Sequence, residues 1–307
     1  MKRLICILLA LMLTGVFPAA GAEVYIEQEK PADWEERDLL RIWALYALDC
    51  DSYVLECGGQ VMLLDGGNKP KEGSLVSFLE AHGWTHPDMI FNSHPHDDHI
   101  EALYYAIKHG KITTDVFISP FPENYGYVFH KKMADVLPKK EIPYRQIFGG
   151  EKLTLGKAEM LLYRYDGKTK KPNGGSITIN DMSGILHLRY GDATMLFTAD
   201  IGGTIQQMLA EENGEAIKAD ILTAPHHGKN AVNPKLLKAA DPKLVIITGK
   251  VDRTTDCRRQ LNNAEISWKR TSYGNILMET DGTDWYVTQE YASEQVKKQE
   301  KKEQKKK

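Results

Sequence analysis

Residues 92–100 read NSHPHDDHI, three histidines and two aspartates in nine positions, directly after the apolar run Met89–Phe91. A polar loop that happens to be rich in histidine is the plain reading. It leaves five ligand-type side chains crowded against an apolar strand, where unpaired polar groups are costly. The order HxHxDH suggests a better one. His94 and His96, two apart on a loop at a strand end, can point into one pocket, while Asp98 and His99 turn toward a second point nearby. Imidazole and carboxylate together suit zinc, iron or manganese.

Such a site needs ligands from elsewhere in the chain. Asp200 ends the apolar run of MLFTADI (195–201), and His226 and His227 end ILTAPHHG (221–228). A buried strand-end carboxylate is a natural bridge between two cations. Taken alone, Asp200 reads equally well as a turn residue; beside the first motif, all three become candidate ligands, provided the three strands end on one edge.

The rest of the chain frames this site. Its 307 residues carry a net charge near −3, so nothing in the charge balance calls for a nucleic-acid or membrane partner. The amino terminus has Lys2 and Arg3, an apolar run from Leu4 to Phe17, and the small-residue pattern Ala20-Gly21-Ala22. That is the pattern of a secretory signal peptide over residues 1–22, with an uncleaved anchor as the competing reading. The mature protein is therefore expected to be secreted or extracytoplasmic, with no transmembrane span. Cys50, Cys57 and Cys257 remain after the leader, an odd number that makes no disulfide framework, and they are expected to be buried thiols. After Val296 come seven lysines and two glutamates, and residues 292–307 are expected to be a disordered, Lys-rich tail.

Residues 23–291 read as one domain without repeats. SYVLECGGQVMLLDGG (52–67) is a hairpin signal about Gly58-Gly59, and GNILMETDGTDWYVTQ (274–289) closes on an Asp-Gly turn. Helical spacing marks GSLVSFLEAHG (73–83), HIEALYYAIKHG (99–110), TIQQMLAEE (204–212) and PKLLKAA (234–240). Hairpins and strand–helix–strand units in this order suggest two packed sheets with helices outside. Arg41–Leu48 is ambiguous by period.

HPHDDH (94–99) resembles the most specific motif of the metallo-β-lactamase superfamily of metallohydrolases, and LLDGG (63–67) resembles its first motif. NDMSGILHLRYGDATMLFTAD (180–200), ADILTAPHHG (219–228) and ALDCDSYVLECGGQVMLLDGG (47–67) look closest to one branch. That branch is the hydrolase-like domain of the bacterial competence DNA-uptake protein and its stand-alone relatives. The resemblance implies an α/β fold, a four-layer αββα sandwich, and makes Arg41–Leu48 a strand. It implies two divalent metal ions, zinc above all, with manganese or iron as alternatives. His94 and His96 would hold the first, Asp98 and His99 the second, and Asp200 both. One of His226 and His227, with His226 favoured, would complete the second site. Asp65 would support the metal loop, and Asn180 and Ser183 match polar positions near the pocket.

The chain also departs from the superfamily pattern. The further histidine that lactamases carry before the bridging carboxylate has only His109, His130 and His187 as candidates, none at a strand-end loop. Lys229 stands where the branch has a small hydroxyl residue; Lys229 or Arg253 could bind an anionic substrate, with a solvated surface charge the plainer reading of each. A later Gly-His-Pro is missing.

The expected activity is that of an exported hydrolase using a metal-bound hydroxide, with Asp98 orienting it, and a phosphodiester, small or nucleic-acid, as substrate. No stable nucleic-acid complex is expected. The alternatives are a carboxylic ester or lactone hydrolase, and a non-catalytic binding protein in which metal only holds the fold. A redox role is disfavoured, because the flavo-diiron proteins of this fold place a glutamate where His96 stands.

Overall fold

The computed structural model describes residues 21–166 and 174–304. The expected leader therefore lies almost wholly outside the described residues. The chain runs through β1 (Val24–Ile26), β2 (Leu40–Ala44), β3 (Ser52–Cys57), β4 (Gln60–Gly66), α1 (Glu72–His82), β5 (Met89–Phe91), α2 (Asp97–Lys108), β6 (Phe117–Ser119), α3 (Val128–Val136), β7 (Tyr144–Gln146), β8 (Lys152–Leu155) and β9 (Ala158–Tyr163). It continues with β10 (Ile185–Tyr190), β11 (Ala193–Phe197), α4 (Gly203–Asn213), β12 (Ile221–Thr223), α5 (Pro234–Ala240), β13 (Leu244–Ile247), α6 (Thr255–Asn263), β14 (Ser267–Arg270), β15 (Gly274–Thr280), β16 (Trp285–Tyr291) and α7 (Glu294–Gln304).

Among the described residues the strands form two sheets, ordered β1-β16-β15-β2-β3-β4-β5-β6-β7 and β14-β13-β12-β11-β10-β9-β8. Apolar side chains from both, such as Leu55, Met62, Leu188, Met195 and Trp285, fill the space between them. A second cluster packs α1, α2 and α3 on the outer face of the first sheet, and a third packs α4, α5 and α6 on the second. These are the four layers αββα. Strands β4, β5 and β6 run parallel, as do β11, β12 and β13. Loops at the carboxyl ends of parallel strands are where such sheets place their sites.

One glycine sets a close approach. A Cβ on Gly66 would lie 2.5 Å from Leu103 Cγ, so only glycine lets α2 pack this tightly on β4.

Two expectations need correction. Arg41–Leu48 is a strand only as far as Ala44; residues 45–48 lead into Asp49, whose positive φ of 58° turns the chain toward the sheet edge. The basic stretch expected to be disordered is helical over Glu294–Gln304. Composition hid the reason: Val296 packs on the third cluster, and buried Glu300 accepts from Tyr291 Oη and pairs with buried Lys269. Cys50, Cys57 and Cys257 are buried free thiols, as expected.

Candidate metal centre

The strand ends deliver the ligand-type residues to one place. Strand β5 stops at Phe91, and the loop behind it feeds α2, whose first turn carries Asp98 and His99, with His96 at the N-cap. The positive end of the helix favours the Asp98 carboxylate there. Asp200 follows β11 and the His226-His227 pair follows β12.

Two clusters share Asp200: His94 and His96 with Asp200, and Asp51, His99 and His227 with Asp200. The two oxygens of Asp200 face different histidines. Oδ2 lies 3.8 Å from His94 Nε2 and 3.6 Å from His226 Nε2. Oδ1 lies 3.3 Å from His99 Nε2 and 3.5 Å from His227 Nε2. His94 Nε2 and His96 Nδ1 are 3.1 Å apart. Asp98 Oδ2 lies 3.3 Å from His227 Nε2, so Asp98 joins the second cluster from its rim.

Two buried carboxylates fix the orientation of the second cluster. His99 Nδ1–H donates to Asp65 Oδ2 at 2.8 Å, and Asp65 also accepts from Ser93 Oγ, Ser93 N–H and Asn92 Nδ2. His227 Nδ1–H donates to Asp51 Oδ1 at 3.1 Å, with Thr248 Oγ1 at 3.0 Å. Each ring thus turns its Nε2 toward Asp200. Metal-binding histidines are held in this way by carboxylates on their other nitrogen.

Hairpin β3–β4 explains both carboxylates. Tyr53 pairs with Leu64 but Ser52 with Gly66, so Asp65 is the extra residue of a bulge, with φ at 53°. Bulges re-aim side chains in this way. Asp51 sits at the same end of the hairpin, just before β3.

Do the residues suit a cation? His99 Nε2 and Asp200 Oδ1 are buried, face each other, and make no hydrogen bond. Buried polar atoms without partners are uncommon, and a divalent metal between the imidazoles and carboxylates would satisfy both. Without metal, the charges lean on one another. Burial opposes the charge on His227, but Asp200 and Asp51 outweigh it and raise its pKa to about 10. The same balance, with Asp200 and Asp65, holds His99 well above the ordinary value. Burial, reinforced by His99, holds His94 well below it.

The favoured assignment of His226 to the second cluster is corrected: His227 occupies that place. His226 and His227 both adopt left-handed backbone, with φ of 53° and 60°. This turn sends the fully buried His227 ring toward His99 and Asp98, and leaves the partly exposed His226 facing the oxygen of Asp200 that His94 also faces. Lys229 reaches the rim, with Nζ 4.0 Å from Asp98 Oδ2. Asn180 and Ser183 do not line the depression beside the site, although Gly184, next to Ser183, donates its N–H to Ser93 O. His109, His130 and His187 are engaged elsewhere, with Glu72, Pro122 O and Lys218 O. Asp51 is the residue that sequence reasoning missed. Counting back through the hairpin from its Gly58-Gly59 turn brings it to the same end as Asp65, but does not reveal its partner His227.

Residues 45–123 match the family model described as the Metallo-beta-lactamase superfamily. The chain has the metallo-β-lactamase fold. The metallo-beta-lactamase fold protein YhfI from Bacillus subtilis is similar in structure, with a TM-score of 0.50 and 14% identity over 80% of this chain and 100% of that one. CmlA, a diiron beta-hydroxylase from Streptomyces venezuelae, is similar at a TM-score of 0.51 and 14% identity, over 79% of this chain and 53% of that one. No curated protein matches the sequence.

Proposed function

We propose that the chain is an exported hydrolase, dependent on two divalent metal ions, most suited to phosphodiester bonds. The observation that carries this reading is Asp200, whose two oxygens face different histidine groups, His94 on one side and His99 with His227 on the other. His94 and His96 would hold one ion, and Asp98, His99 and His227 the other, with Asp200 between them. Bound there, two such ions supply Lewis-acid stabilisation of developing negative charge and bring the pKa of a water down to about 7.

The chain's own side chains supply the rest. Asp98 is 28% exposed at the side chain, whereas Asp200, Asp51 and Asp65 are 1%, 6% and 0% exposed. Asp98 is thus the carboxylate of this group that can accept a hydrogen bond from a water at the mouth of the site and orient it. Ser93 is no nucleophile: it is buried and its Oγ–H is committed to Asp65. Lys229 adds positive charge at the rim beside Asp98. The sequence resemblance to the competence DNA-uptake branch supports a phosphodiester over a lactam or thioester.

Export rests on the amino-terminal pattern. Glu23 N lies 2.9 Å from Asp284 Oδ1, so cleavage after Ala22 would leave the new ammonium against a carboxylate. N-terminal sequencing of protein recovered outside the cell tests this.

The activity is tested by elemental analysis of the mature protein, followed by assay of bis(4-nitrophenyl) phosphate, a lactone and a β-lactam. About two metals per chain and turnover of the diester are expected. Turnover of the lactone alone would shift the reading to carboxylic esters. A folded protein that binds metal and hydrolyses none of the three would be a metal-stabilised binding protein instead.

A further inference from the structure

We infer that the depression beside the metal centre is a two-part anion site, in which Lys250 and Arg253, assisted by Lys229, hold a second negatively charged group of the substrate. This rests on the hydrolase reading for the first part only, the group held at the metals. The depression has a volume of about 560 Å³, and its lining includes His96 and Asp98 of the metal centre together with the cations Lys229, Lys250 and Arg253 and the acids Asp49, Asp97 and Glu101. A ligand held at His96 and Asp98 therefore shares one depression with the three cations.

The cations are held by the framework of the site. Lys250 N–H donates to Asp49 Oδ1 at 2.8 Å, and Asp49 N–H donates to Thr248 O at 3.0 Å. Thr248 is also the residue that, with Asp51, orients His227. The loop that carries Lys250 and Arg253 is thus tied to the residues that aim a candidate metal ligand.

Their charge is not balanced by the carboxylates they touch. Arg253 Nη1 lies 3.2 Å and Lys250 Nζ 3.7 Å from the same oxygen, Asp49 Oδ2. Two positive charges share one negative charge. Lys229 faces Asp98, which is also 3.3 Å from His227. When Asp98 serves a metal, the Lys229 charge turns to the ligand. The other two acidic residues of the depression, Asp97 and Glu101, lie on α2, and Glu101 accepts from Lys69 N–H. A ligand with two anionic groups would place one at the metals and the other at Lys250 and Arg253, which share the single carboxylate of Asp49 beyond the end of β13. The second group is a phosphate or a carboxylate, since ammonium and guanidinium groups bind either.

The test uses the metal-loaded full chain and three probes that share a propyl phosphate: propyl phosphate itself, 3-(phosphonooxy)propanoate, and propane-1,3-diyl bisphosphate. Binding is measured by calorimetry for the wild type and for the double variant Lys250→Ala/Arg253→Ala, with metal content as a control. One or both probes with a second anionic group should bind the wild type about tenfold more tightly than propyl phosphate, the scale expected of two exposed ion pairs. That preference should fall to about twofold or less in the variant, with propyl phosphate affinity unchanged. Which two-group probe is preferred identifies the second group. Equal preference in both proteins, or no preference in the wild type, overturns the inference. Turnover of bis(4-nitrophenyl) phosphate is assayed separately. Its absence, with the preference intact, would count against the hydrolase reading and leave the anion site standing.

Discussion

Asp51 and His227 are 176 positions apart in the chain, and Asp51 Oδ1 lies 3.1 Å from His227 Nδ1. The contact mirrors that of Asp65 with His99, so each buried imidazole of the second cluster has its own carboxylate. Replacing Asp51 by Asn keeps the shape but removes the charge that fixes the ring. Metal affinity at the second cluster should fall about 10- to 100-fold, the usual cost of losing such a partner. Competition titration against a chromogenic chelator measures it. An unchanged affinity would mean that Thr248 alone orients the ring.

The left-handed turn at residues 226 and 227 separates two neighbouring histidines. His227→Ala should remove the metal held with His99 and leave a folded chain that retains about one ion, whereas His226→Ala should keep the His99 ion in place. Cobalt substitution, with elemental analysis and the visible spectrum of each variant, distinguishes these cases. Loss of the His99 ion in His226→Ala would reverse the assignment made here.

Protonation sets how metal enters. In the metal-free protein His227 titrates near pH 10 and His99 is raised in the same direction. A raised pKa stabilises the fold fully below the ordinary imidazole value of about 6.5, and that contribution is lost as pH climbs through the folded value. The metal-free chain should therefore lose stability between neutral pH and pH 10. Metal must displace the same protons, so loading at pH 7 should release on the order of two per chain, and affinity should rise with pH. Calorimetry in two buffers of different ionisation heat counts them, and a release near zero would contradict the charge state argued for these rings.

Helix α7 is part of the fold through a charged contact. Glu300→Ala leaves Lys269, only 5% exposed at the side chain, with Glu27 and Tyr291 Oη. The cost should be about 1–3 kcal/mol, read as a lower urea midpoint. Metal content should be unchanged, because α7 lies on the third cluster rather than at the metal centre.

The fold was legible where apolar periodicity met clear turn residues. Hairpin β3–β4 follows from the Gly58-Gly59 turn between two apolar runs, and α1 ends at Gly83, in left-handed backbone as a helix-terminating glycine should be. The obscured elements carry charge inward or hold little apolar surface. Strand β14 reads Ser-Trp-Lys-Arg, with Lys269 and Arg270 buried, and α6 buries only Cys257 and Leu261. At the site, the residues within one motif could be read directly. Asp51 could not, because its role depends on a partner that only the second sheet supplies, and the choice between His226 and His227 turned on backbone dihedrals that residue types do not fix.

The candidate ligands divide by sheet: His94, His96, Asp98 and His99 come with the first, Asp200, His226 and His227 with the second. Neither half alone presents more than part of a coordination sphere. Uptake of the proposed metals would thus be a late event in the life of the chain, following the docking of both halves, and occupancy would record that folding has been completed.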